Sequence, residues 1–110
     1  MSDQAAQMLP SVVVLPAEID VTNSEEVYEQ LTAALSPGVG TVIADLTPTS
    51  FCDSSGVHAI MHAHEWAAAR DVGLRLAVSP GGSVRRVLQL TGADHLIPVF
   101  ASVQEAIQGA

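Results

Sequence analysis

The sequence predicts an α/β layer fold: a mixed, mostly parallel sheet of four to five strands with about four helices. Three observations predict it. Apolar runs rich in Val, Leu and Ile alternate with segments of helical period. No two consecutive strand candidates are joined by a short hairpin turn, which argues for a largely parallel sheet joined through crossovers. The chain has 110 residues, 48% of them hydrophobic, which suits one domain with its own core and is too short for two.

The elements follow in order. Ser11-Val12-Val13-Val14-Leu15 reads as a buried strand, and Pro16 to Asp20 leaves it as a loop. Residues 1–10 are an N-terminal segment, flexible or a short strand to which Gln7-Met8-Leu9 supplies a stub; residues 11–110 form the domain. Thr22-x-x-Glu25 is a capping-box pattern, followed at helical spacing by Val27, Tyr28, Leu31, Ala34 and Leu35 until Ser36-Pro37-Gly38 stops them. Thr41 to Leu46 is a central strand. Val57, Ile60, Met61, Ala67 and Ala68 give a second helix ending near Asp71-Val72-Gly73. Leu74 to Val78 restores strand character, and Ser79-Pro80-Gly81-Gly82 turns the chain. Ser83 caps a short helix closed by Gly92. Ile97-Pro98-Val99-Phe100 is a last strand, placed at an edge by Pro98, and Ser102-x-x-Glu105 caps a final helix. In such folds function gathers at the strands' C-terminal ends, so the loops at Glu18–Asp20, Cys52–Ser55 and Ser79–Ser83 are expected along one edge.

Composition excludes several functions. The formal charge is −8, there is no Lys, and all four basic residues are Arg lying at or beyond Arg70, so nucleic acid and anionic lipid are disfavoured partners. Nine of the twelve acids precede Arg70, so the first half suits a basic partner. A lone Cys52 forbids an internal disulfide, and with no charged-then-apolar leader this suggests a cytoplasmic protein. No run approaches the roughly 20 apolar residues of a membrane span.

The most informative run is Phe51-Cys52-Asp53-Ser54-Ser55-Gly56, where the period changes into the second helix. A helix start offers free N–H groups and a positive dipole end, so the run reads as a helix cap or as a phosphorylation switch, and the residues alone favour the cap. A catalytic serine lacks the Gly-x-Ser-x-Gly elbow. His58, His62 and Glu65 share one helix face with a spacing that can hold a metal, yet His-Glu-x-x-His is absent and a solvated histidine face fits better. Asp53 beside Cys52 disfavours a reactive thiolate. Gly81-Gly82-Ser83 has no Lys to complete a phosphate loop and reads as a turn. No metal, cofactor or catalytic residue is therefore expected.

Three segments together resemble the STAS domains of bacterial anti-sigma factor antagonists, from about Val12 to the last helix. They are Ala17-Glu18-Ile19-Asp20, the Phe51–Gly56 run, and Val78-Ser79-Pro80 followed by Val84-Arg85-Arg86-Val87-Leu88 and Thr91-Gly92. The resemblance implies a STAS-like single domain that is a substrate and not an enzyme. It implies that a serine kinase, also an anti-sigma factor, binds the unmodified domain and releases a sigma factor. Phosphorylation at Ser55, the second serine of the pair, ends that binding, and a phosphoserine phosphatase restores it. Such a phosphate meeting like charge about 4 Å away at an effective dielectric near 20 costs about 4 kcal/mol, roughly a thousandfold in affinity.

The resemblance implies Asp20, Asp53, Ser54, Ser55, Gly56 and His58 as the partner-binding residues, with Asp53 expected to orient or cap the serine loop, Asp20 to line the same surface, and Ser54 to support it by hydrogen bonding. Ala17 departs from the Gly usual before the acidic pair, and His58 from the small residue usual after Gly56. A bulky, titratable ring at 58 on the docking face points to a different partner or to pH-sensitive docking. The expected state is a monomer or weak homodimer. Two alternatives are a STAS scaffold in stress signalling or a transport complex that is not phosphorylated, and a module that binds a small ligand in the loops.

Overall fold

Residues 9–109 are described by the computed structural model. In chain order the elements are β1 (Leu9–Val14), β2 (Glu18–Ile19), α1 (Ser24–Ala33), β3 (Val39–Asp45), β4 (Phe51–Cys52) and α2 (Ser54–Ala68). They continue with β5 (Gly73–Ala77), α3 (Ser83–Thr91), α4 (Ala93–Leu96), β6 (Val99–Phe100) and α5 (Val103–Gln108). Four strands form one sheet in the order β1-β3-β5-β6, and β2 and β4 form a separate two-stranded sheet. Every pairing among the described residues is parallel.

The alternation of side chains along the strands divides the core. Val42 and Ala44 of β3, with Leu74 and Leu76 of β5, face α1 through Val27 and Leu31, α2 through Val57, Ile60 and Ala63, and α3 through Val84 and Leu88. Ile43 and Ala77 point the other way, onto Ala106 of α5 with Phe100 and Val103 alongside. Both faces of the central strands are thus covered, which is why β3 reads as an unbroken apolar run and not as an alternation. Arg75, also on the second face, donates from Nη1 to the Ala106 carbonyl at 2.7 Å and supports the C-terminal end of α5.

Several expectations are corrected in detail. The first strand starts at Leu9, so Leu9 and Pro10 of the predicted N-terminal segment belong to β1, with a register shift between them; Gln7 and Met8 lie outside the described residues. Pro16–Asp20 and the serine loop are not wholly irregular, since they contain β2 and β4. The Thr22/Glu25 capping box does not form: both the N–H and the hydroxyl of Thr22 turn back to Asp20 Oδ1, and α1 starts after Asn23, whose side chain reaches the Glu18 carbonyl at 2.8 Å. Ser83 is the first residue of α3 with Gly82 as its cap, and its hydroxyl donates to the Ser50 carbonyl at 2.9 Å. The C-terminal expectations hold better. Gly92 ends α3 at φ 80°, Ser102 accepts the Glu105 N–H at 3.1 Å to cap α5, and β6 lies at the sheet edge just after Pro98.

The parallel register brings Val14, Asp45, Ala77 and Phe100 into one row at the strands' C-terminal ends. The three loops that follow β1, β3 and β5 therefore leave the sheet at one edge. They are tied there by Thr49, whose hydroxyl donates to the Pro16 carbonyl at 2.8 Å, by Ser50 N–H on the Ala17 carbonyl at 2.8 Å, and by the Ser83 bond to Ser50.

Candidate functional site

The small β2–β4 sheet is the platform for the start of α2. Glu18 pairs with Phe51 and Ile19 with Cys52, and the Asp53 N–H continues the ladder onto the Ile19 carbonyl at 3.1 Å. Asp20 and Asp53 are the residues that follow register partners, so the two acids predicted to share a surface leave adjacent strands side by side. Their carboxylates work separately. Asp20 Oδ1 accepts the Thr22 N–H at 2.9 Å and shapes its own turn.

Asp53 is the N-cap of α2, with extended backbone at φ −95° and ψ −173°. Its Oδ1 accepts the Ser55 N–H at 3.0 Å, the Gly56 N–H at 3.3 Å and the Ser55 hydroxyl at 2.5 Å. Two of the N–H groups left over at a helix start are thereby satisfied. The Ser55 hydroxyl is the main reason the Asp53 carboxyl stays below its ordinary range; the N–H groups of Gly56 and Ser55 add to this, while partial burial opposes it. The cap reading and the switch reading thus fall on the same atoms.

Gly56 has a packing reason. A Cβ there would lie 2.6 Å from Cγ2 of Ile19 and 2.7 Å from Sγ of Cys52, so only glycine lets the first turn of α2 sit on the β2–β4 platform. Cys52 is 2% exposed, and burial, helped by the Asp53 carboxylate, pushes its thiol up to about 11. It is a packed residue whose Sγ lies 3.5 Å from the Asp53 carbonyl. Ser54 is exposed and, among the described residues, its side chain has no hydrogen-bond partner; the support expected from it comes from Asp53 instead.

Ser55 and His58 line one open groove of about 750 Å³ between α1 and α2. The groove continues along α2 through His62, Glu65 and Trp66, and its other wall is Glu25 and Tyr28 from α1. The shared face of His58, His62 and Glu65 on α2, though without Trp66, was legible from spacing. The α1 wall was not, because Glu25 on its own helix reads as a solvated acid and only the packing of two helices makes it a wall. At the far end the Arg70 guanidinium lies 3.4 Å from the Trp66 ring centroid and donates to the Trp66 carbonyl at 2.9 Å. Among the described residues no three His, Cys, Asp or Glu side chains are grouped to hold a metal ion, the His58, His62 and Glu65 spacing notwithstanding. None of their helices is long and apolar enough to cross a membrane.

The STAS domain family model matches residues 4–106, and the chain belongs to that family. No curated protein sequence matches it significantly. Among solved structures it is similar to an anti-sigma factor antagonist from Mycobacterium paratuberculosis, with 22% identity, 91% of this chain and 84% of that one covered, and a TM-score of 0.80. The anti-sigma factor antagonist SpoIIAA in its unphosphorylated form is 28% identical over 91% of this chain and 86% of that one, with a TM-score of 0.71. SpoIIAA of Bacillus in the phosphorylated form is 26% identical over 92% and 90%, with a TM-score of 0.64. A sulfate transporter family protein from Wolinella succinogenes shares the fold at 14% identity, with 90% and 82% covered and a TM-score of 0.72.

Proposed function

We propose that this domain is an anti-sigma factor antagonist, switched at Ser55 and working in the cytoplasm. It binds a serine kinase that is also an anti-sigma factor, is released when that kinase phosphorylates Ser55, and is restored by a phosphoserine phosphatase. The observation that carries the reading is the placement of Ser55: a half-buried hydroxyl on the first turn of α2, oriented by Asp53, opening onto a groove, in a chain similar to a protein known in both unphosphorylated and phosphorylated forms. Phosphate adds roughly −1.5 to −2 charge at this point. A partner that presents a bound nucleotide or acidic groups to Ser55 is then repelled. The domain is the substrate of the reaction. Asp53 orients Ser55, Asp20 and His58 line the docking surface with Ser54, and Gly56 keeps the helix start close to its platform.

Capture of the partner by immobilised protein tests this. Ser55→Ala should retain a serine kinase that wild type retains, and Ser55→Asp should lose at least about tenfold in affinity. Equal capture by both variants contradicts the switch. A second reading, a STAS scaffold that binds without phosphorylation, is favoured by one observation: the Asp53–Ser55 bond is already accounted for as part of a helix cap.

A further inference from the structure

The groove beside Ser55 carries information about the partner's shape and charge, and this rests on the antagonist reading only in taking the partner to dock around Ser55. Ser55, His58, His62 and Trp66 recur every three or four residues along α2. The stripe from Ser55 to Trp66 runs for roughly 16 Å, the length of about three helical turns. Ala59 keeps the floor shallow between them, and Tyr28 closes the side from α1. A long trough with small residues in its floor and aromatic rings on its walls is the form that accepts an amphipathic helix.

Its charge selects among such helices. Glu25 lies on one wall and Glu65 on the other, both exposed. Glu26 and Glu29 are exposed further along α1. The only lining cation among the described residues is Arg70, and its guanidinium is engaged with the Trp66 ring and carbonyl at the end away from Ser55. An acidic helix or a nucleic acid would meet like charge along the trough.

We propose that the α1–α2 groove docks a basic amphipathic helix of the partner, laid along α2, with its cationic side chains against Glu25 and Glu65 and its apolar side against Tyr28, Ala59 and Trp66. Capture and switching then lie in different places. The groove supplies attraction to a basic helix, which a phosphate on Ser55 does not weaken. The Ser55 end supplies the repulsion, against whatever negative group the partner holds there.

The test uses a synthetic amphipathic peptide of Ala and Leu with Arg at every fourth position, about 15 residues long so that it can form a helix, titrated into isotope-labelled protein by NMR. Saturable amide shifts are expected in the first turn of α1 and along α2. Glu65→Arg should weaken binding roughly three- to tenfold, while Glu105→Arg, an equal charge change at an exposed site on α5, should change it less than about twofold. The same peptide with Glu for Arg should not bind, and Ser55→Asp should bind the Arg peptide at least as well as wild type. Absence of saturable shifts, shifts centred on other elements, equal losses in the two Arg variants, or binding of the Glu peptide each overturn the proposal. Failure of the switch is seen separately: Ser55→Asp would then still capture the kinase, whatever the peptide does.

Discussion

Ser55 and Asp53 are joined by a 2.5 Å hydrogen bond, and the oxygen that accepts it also holds the Ser55 and Gly56 N–H groups. One carboxylate oxygen therefore starts α2 and orients the hydroxyl proposed to carry phosphate. Phosphate at a helix N-terminus is ordinarily welcome. Here the nearest N–H donors are occupied and the occupant is an anion. Modification must remove the hydroxyl donor and set negative charge beside Asp53. Ser55→Asp, or the phosphorylated protein, is expected to melt below Ser55→Ala by several degrees, and the gap should shrink in an Asp53→Asn background. Thermal unfolding of the four variants checks this, and a gap that ignores residue 53 would contradict the coupling.

Asp53 also sets an acid dependence. Its folded carboxyl sits below the ordinary 3.8, so as pH falls the unfolded chain takes up the proton first. The stabilisation is complete above about pH 5 and is lost as pH falls through the unfolded value and on through the folded one. Asn at this position keeps an acceptor oxygen but does not titrate. The difference in melting temperature between wild type and Asp53→Asn should be constant from neutral pH to about pH 5 and close below pH 4. A difference that grows on acidification would show the opposite shift.

Gly56→Ala should cost about 1–3 kcal/mol, the usual range for forcing atoms into a packed site. The added methyl would meet Ile19 and Cys52 within 2.7 Å, and neither is the free end of a long side chain. Urea unfolding gives the value directly. Ile19→Ala in the same background should give back part of the loss, since contacting sites are not additive.

Burial keeps the Cys52 thiol protonated. With its value near 11, about one thiol in a thousand is ionised at pH 8, against about one in ten for a free thiol near 9. An aromatic disulfide reagent should react with the folded protein at least about a hundredfold more slowly than with the urea-unfolded chain. Stability should also fall between pH 9 and 11, because the unfolded thiol ionises there while the folded one does not. Comparable rates in the two states would show Cys52 to be accessible.

Long elements with strong periods were legible in the sequence, and so was the joint where the period changes. The unbroken apolar run of β3 and the apolar stripe of α2 each carry their own signal, and Gly92 and Ser102 end and begin helices where their chemistry directs. Apart from β6, which its apolar run and Pro98 announced, the elements of two to four residues were not legible. β2, β4 and α4 are too short to show a period, and β2 and β4 exist because each completes the other. The helix α1 starts later than its capping box suggests because Asp20 competes for Thr22 within the same turn. At the site, the motif named Asp53, Ser55 and Gly56, but the reason for glycine lies in the packing of Cys52 and of Ile19, the latter far away in sequence. The groove needs two helices to exist, so Glu25 and Tyr28 carried no sign of it until they were packed against α2.

Locating the phosphate tests the switch at Ser55. The protein is incubated with ATP and each ATPase-type serine kinase encoded near its gene, and the modified residue is mapped by tandem mass spectrometry, with Ser55→Ala in parallel. A single phosphate on Ser55, none on Ser54, and no incorporation into Ser55→Ala are expected. Phosphate on Ser54 or elsewhere, or Ser55 left unmodified by every kinase that binds the protein, would contradict the switch.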